Sequence, residues 1–135
     1  TKEVTDGNVR KDFPGGFPGD KANCFTAEGR TRAQNDMFNW LSRLLHWRQG
    51  NEAIIHGKQV QFTPRKGVYV IARQAKGQNV LTVVNGTSEP AQMEVKRYAE
   101  IIGQATEATD ILTGRKVALD KDVALQPRET LVLSF

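Results

Sequence analysis

The apolar positions change rhythm twice along the chain. Up to about Arg30 they have none. The stretch from Asp6 to Asp20, DGNVRKDFPGGFPGD, sets charges, glycines and prolines around Phe13 and Phe17, with neither alternation nor helical spacing, and predicts a long irregular loop. From Thr31 the pattern becomes helical. Ala33, Met37, Trp40 or Leu41, Leu44 and Trp47 or Arg48 recur at three- and four-residue steps, and Phe38 and Leu45 widen the stripe. TRAQ, Thr31 to Gln34, fits a capping box, with a hydroxyl for a free N–H and a glutamine three residues on to return the bond. Gly50 and Asn51 supply the stop. The prediction is one amphipathic helix of about five turns from Thr31 to Gln49.

From about Ala53 the period drops to that of strands. KQVQF, GVYVIAR, NVLTVVN, AQMEV, TDIL, KVAL, DVAL and TLVLSF are short and rich in β-branched or aromatic residues. PRKG, KGQN, NGTSEP, TGRK and QPRE supply turns between them. About eight strands at this spacing predict a mainly β fold, an antiparallel Greek-key sandwich, after the loop and the helix. GVYVIAR and LTVVN are apolar at consecutive positions, which predicts central strands buried on both faces. No internal repeat is evident.

The helix stripe needs a covering surface. Burying one such side chain is worth roughly 1.5–3 kcal/mol, so a wet stripe forfeits on the order of 10 kcal/mol. The expectation is that the helix docks on the β domain, self-associates, or belongs to a larger body of protein. A length of 135 residues with 39% hydrophobic and 25% charged residues is globular composition. No apolar run approaches the ~20 residues that cross a bilayer. The start lacks an apolar signal region and a Met, which points to a processed chain or a piece of a longer one. The net charge of +4 comes from scattered residues, among them Arg10, Lys11, Arg30, Arg32, Lys96, Arg97, Arg115 and Lys116. That reads as solvated surface, and the aliphatic strand faces argue against a single-stranded nucleic-acid binder. Neither a nucleic-acid nor a membrane partner is expected. Compartment stays open between periplasm and cytoplasm of a bacterium, since a lone Cys24 excludes only an internal disulfide.

Candidate chemistry is sparse. Cys24, His46 and His56 match no zinc spacing. His46 is expected late in the helix, and His56 at the start of a strand. No nucleophile–base arrangement is recognisable. Asp6, Asp12, Asp20, Asp110 and Asp122 read as loop and turn residues, with none at the end of a buried strand with a partner in an apolar setting. The opposed acid pair of a glycosidase is therefore not expected here. Asn85-Gly86-Thr87 matches the glycosylation triplet but reads as a turn. Trp40 and Trp47 read as core.

DGNVRKDFPGGFPGDKANCFT, followed by RTRAQNDMFNWLSRLLHWRQGNEAIIHGKQVQFTPRKGVYVIAR, resembles the C-terminal part of cyclomaltodextrinase- and neopullulanase-type enzymes of the α-amylase family. The most specific segments are VRKDFPGG, the Arg30-Thr31 helix start, LHWRQGNEAIIHG and GVYVIAR. The resemblance implies that residues 1–51 are the end of a (β/α)8 barrel, the loop after its eighth strand and its eighth helix. Residues 52–135 would be an all-β C-terminal domain packed against that barrel. It implies that the catalytic carboxylates lie upstream, so the chain alone is no enzyme while its parent is a retaining hydrolase of α-1,4-glucosidic bonds. No cofactor is implied in this chain, and any calcium of the parent would lie outside this region. The partners implied are the catalytic barrel and, in the intact enzyme, an α-glucan oligosaccharide. Asp6 and Arg10 have the Asp-and-Arg spacing with which many relatives hydrogen-bond a glucose unit; the bland reading is an ion pair holding the loop. Phe13 and Phe17 are either sugar-stacking rings or loop anchors. The alternative for the whole chain is a stand-alone carbohydrate-binding β-sandwich, which needs an exposed aromatic platform that Tyr69 and Tyr98 supply poorly.

Overall fold

The computed structural model describes residues 6–10 and 12–135; residues 1–5 and Lys11, the latter within the VRKDFPGG motif, lie outside the described residues. The chain divides into two compact units, Thr1–Leu41 and Ser42–Phe135. The boundary falls inside the long helix, so the two units are described separately.

The second unit is mainly β. Its strands are β1 (Lys58–Gln61), β2 (Val68–Ala75), β3 (Gln78–Asn85), β4 (Ala91–Met93), β5 (Glu107–Asp110), β6 (Lys116–Ala118), β7 (Val123–Leu125) and β8 (Thr130–Ser134). The sequence predicts eight strands, and TDIL is displaced from its predicted place, since Ile111 and Leu112 lie in the turn after β5. The strands form an antiparallel six-stranded sheet in the order β1-β2-β3-β8-β5-β6 and a two-stranded sheet of β4 and β7. Lys66 and Gly67 both have positive φ and close a two-residue turn in which Arg65 and Val68 exchange backbone hydrogen bonds. That geometry matches the right-handed twist of the strands it joins.

Period two puts one face of each strand into the core. Val70 pairs with Val83 and Ala72 with Leu81; Leu81 and Val83 in turn face Leu133 and Leu131. These residues pack with Met93, Leu125, Tyr98, Ile101 and Ile102 in the main core, which fills the space between the two sheets. Alternate positions of the same strands, Val80 and Val132, build a second cluster with Ala53 and Leu112, and Leu44, Trp47 and Ile54 pack against it. β2 and β3 are central in the sheet, as their apolar runs predict. Burial on both faces does not hold along their whole length, however. Val68, Val70 and Ala72 are buried, whereas Tyr69 and Ile71 are half-buried. The covering on the outer face reaches only part of the sheet.

Three helical turns interrupt the region read as strands. Glu52–Ile55 is helical, with the Asn51 side chain accepting from Ile54 N at 3.0 Å. A tight 3-10 turn over Val95–Tyr98 leads into a helical turn over Ala99–Ile102. Tyr98, Ile101 and Ile102 recur at steps of three and four and are buried together. AQMEV thus stops being a strand at Met93. His56 caps the turn of Glu52–Ile55 and does not open β1.

The long helix spans Arg32–Gln49. Leu44 and Trp47, near its end, are the stripe residues packed on the second cluster. Met37, Phe38, Trp40, Leu41 and Leu45 stay between 40% and 62% exposed, so Trp40 is not a core residue of this chain. Within the second unit the last turns of the helix pack through Leu44 and Trp47. No helix among the described residues is long and apolar enough to cross a membrane.

Candidate functional site

The chemistry-bearing part of the first unit is the segment before the helix. Asp6–Val9 forms one helical turn, α1, where an irregular loop was expected. The only local signal for it is the i, i+4 pair of Asp6 and Arg10. Their side chains approach at 3.8 Å and are 89% and 81% exposed. At that distance and exposure the pair adds little stability.

Beyond Asp12 the segment is fastened by its own polar groups. Asp20 Oδ2 accepts from Gly15 N at 2.9 Å and from Phe17 N at 3.0 Å, closing the GGFPGD turn. Gly15 bridges Asn23, and Cys24 N donates to Pro14 O at 2.8 Å. At Gly29 a Cβ would lie 1.8 Å from Asn23 O, so only glycine lets these backbones pass. The buried Cys24 thiol donates to Gly29 O. Phe13 packs on Phe25 with ring centroids 4.8 Å apart, and both rings, like that of Phe17 at the turn, stay more than half exposed. Phe13, Phe25, Met37 and Phe38 line an open apolar groove of about 650 Å³.

Arg30 joins this segment to the helix. Its Nε donates to Asn35 Oδ1 at 2.8 Å, its Nη1 donates to Cys24 O at 3.2 Å and reaches Phe25 O at 3.5 Å, and its guanidinium lies 3.9 Å above the Phe38 ring. Asn35 Nδ2 donates to Ala27 O at 2.9 Å. The capping box is present: Thr31 Oγ1 accepts from Gln34 N at 3.3 Å, and Gln34 Oε1 accepts from Thr31 N at 2.8 Å. Sequence reasoning marked Arg30 only through the family resemblance. A five-residue separation from Asn35 matches no recognisable motif, and the carbonyls it grips are anonymous in sequence.

The β unit offers a polar groove of about 600 Å³ lined by Lys66, Gln92, Glu94, Asp122 and Gln126. Glu94 meets Lys66 at 2.8 Å and Arg65 at 3.5 Å. The Lys66 hydrogen bond, against some opposition from burial, holds the Glu94 carboxyl below the usual glutamate range, and the charges of Arg65 and Lys66 add to it. Tyr98 is held above the usual tyrosine value chiefly by burial. In the second unit the exposed large apolar residues are Leu45 and Ile55, and none of its phenylalanine, tyrosine or tryptophan rings is exposed to that degree.

Asp110 corrects the sequence reading. It is the last residue of β5 and is wholly buried. Its Oδ1 accepts from Leu112 N at 3.3 Å and Val132 N at 3.1 Å, and its Oδ2 from Thr113 Oγ1 at 2.6 Å. Those donors fasten the β5–β6 turn to β8, and no second carboxylate is among them. Asn85 is also buried; its Nδ2 donates to Glu89 O and Gln126 O, both at 2.8 Å, and its Oδ1 accepts from Thr87 N and Thr87 Oγ1. An amide so engaged holds a turn and offers no glycosylation site. His46 is exposed, with Nδ1 at 2.7 Å from Ser42 O. Among the described residues no three His, Cys, Asp or Glu side chains converge as a metal site would require.

Residues 59–134 match the family model described as the cyclo-malto-dextrinase C-terminal domain. A structure of AmyP in complex with maltose is similar at a TM-score of 0.66 and 23% identity, covering 77% of this chain and 21% of that one. The α-amylase of Geobacillus thermoleovorans complexed with acarbose gives 0.64 at 19% identity, covering 78% and 24%. The trehalulose synthase MutB of Pseudomonas mesoacidophila gives 0.53 at 19%, covering 68% and 16%. At such identities the likeness is one of fold, and the chain spans at most about a quarter of the length of these structures. The eight-stranded antiparallel unit coincides with the segment that the family model covers, and on that match over more than half its residues the chain belongs to the cyclo-malto-dextrinase C-terminal domain family.

Proposed function

We propose that this chain is the non-catalytic C-terminal portion of a retaining α-glucan hydrolase that cleaves cyclodextrins, pullulan or maltodextrins. Residues 52–135 are its all-β domain and stabilise the catalytic barrel. Residues 1–51 are the loop after the eighth barrel strand and the eighth barrel helix. The family match over residues 59–134 carries the reading. The exposed stripe of Met37, Phe38, Trp40, Leu41 and Leu45 supports it, since a barrel would give those side chains an apolar surface to pack on. The same stripe promotes self-association of the chain on its own. The return of β8 between β3 and β5 supports a Greek-key description of the sandwich.

In the intact enzyme Asp6 and Arg10 contact a glucose unit. Their solvent-facing, loosely paired groups keep hydrogen-bonding capacity to spare: a carboxylate accepts from sugar hydroxyls and a guanidinium donates to them. The purified chain is expected to turn over neither maltotriose nor β-cyclodextrin, and measurable turnover overturns the assignment. Asp6→Asn in the parent enzyme is expected to raise KM for maltotriose roughly tenfold, a loss of substrate binding. An unchanged KM removes Asp6 from the site.

A further inference from the structure

The Arg30 fork is more elaborate than a loop anchor requires. One guanidinium is oriented by Asn35, backed by the Phe38 ring and aimed at the carbonyls of Cys24 and Phe25. From there the connection runs on through backbone bonds. Cys24 N holds Pro14 O, and Gly15 bridges Asn23. Pro14 lies four residues after Arg10 in the sequence, so holding Pro14 tethers the segment that carries the pair assigned to sugar contact.

We infer that Arg30 is a positioning residue for the sugar-contacting segment, acting through Cys24 and Pro14, with Asn35 orienting it. The inference rests on the proposed function, in which that segment borders the glucan cleft. A planar fork with fixed donors suits the task. Lysine keeps the charge over Phe38 but cannot hold Asn35 and the Cys24 carbonyl at fixed angles together.

The test is steady-state kinetics of the intact parent enzyme on maltotriose, with Arg30→Lys, Asn35→Ala and Asp6→Asn measured side by side. Arg30→Lys is expected to raise KM by roughly an order of magnitude and to leave kcat within about twofold, the pattern of lost substrate binding. Asn35→Ala is expected to shift KM in the same direction by less. Hydrogen exchange at the Cys24 amide is expected to quicken in both. A fall in melting temperature with KM unchanged in Arg30→Lys overturns the inference, and leaves the proposed function standing if Asp6→Asn still raises KM. If none of the three variants moves KM, the assignment of this segment to the cleft fails as well. Should Arg30→Lys not fold, Asn35→Ala decides alone, since it leaves the guanidinium in place and removes its orienting acceptor, together with the bond to Ala27 O.

Discussion

Replacing Asp110 probes the one buried carboxylate of the β unit. In Asp110→Ala the amides of Leu112 and Val132 lose their shared acceptor, and the Thr113 hydroxyl loses its own. Each buried donor left without a partner costs about 1–3 kcal/mol. The hydroxyl can rotate, so the two amides dominate, and the expected loss is about 4 kcal/mol. That is a large share of the 5–15 kcal/mol typical of a domain. Asp110→Asn keeps an oxygen in the place of Oδ1. Both amides stay satisfied, and the Thr113 hydroxyl turns to accept from the new amide group. Only the charge-assisted part is lost, about 1–2 kcal/mol. Urea denaturation followed by far-UV circular dichroism at neutral pH measures both, and the midpoints should fall in the order parent, Asn, Ala with similar slopes. Equal losses for Asn and Ala, or a loss below about 1 kcal/mol for Ala, would refute the claim that the two amides depend on this side chain.

Gly67→Ala should cost about 1–3 kcal/mol, since φ is +77° and the new Cβ would lie 2.2 Å from Thr87 Cγ2; denaturant midpoints check it. Thr31→Ala should cost about 1 kcal/mol and Thr31→Ser little, because the hydroxyl is what caps Gln34 N; thermal unfolding separates them. Glu94 has its carboxyl pKa lowered in the folded chain by the Lys66 hydrogen bond first. Its contribution to stability is therefore complete above the unfolded-state value and is lost as pH falls through the lowered folded value. Glu94→Gln should be less stable than the parent at pH 7 and indistinguishable from it once both are below that range; a gap that persists in acid contradicts this.

Local rules read directly from the chain settled the regular elements. Capping-box chemistry at Thr31 and Gln34, the helical spacing to Gln49 and the apolar runs of the central strands β2 and β3 depend on neighbours a few residues apart, so the sequence carries them. The turn at Lys66-Gly67 belongs with them through Gly67, whose positive φ a glycine adopts at no steric cost. Three things lay beyond that reach. The short helical turns at Glu52–Ile55 and Val95–Ile102 hold too few apolar positions to set their spacing apart from the strands around them, and burial decides them. Asp110 looks like a turn residue until Val132, 22 positions later, brings its amide to the carboxylate. Arg30 grips backbone carbonyls, which carry no side-chain signature, so its part in fastening the segment before the helix is visible only in three dimensions. The family was legible in the sequence because its motifs are contiguous. The contacts that hold the candidate site are not contiguous, and the fold alone assembled them.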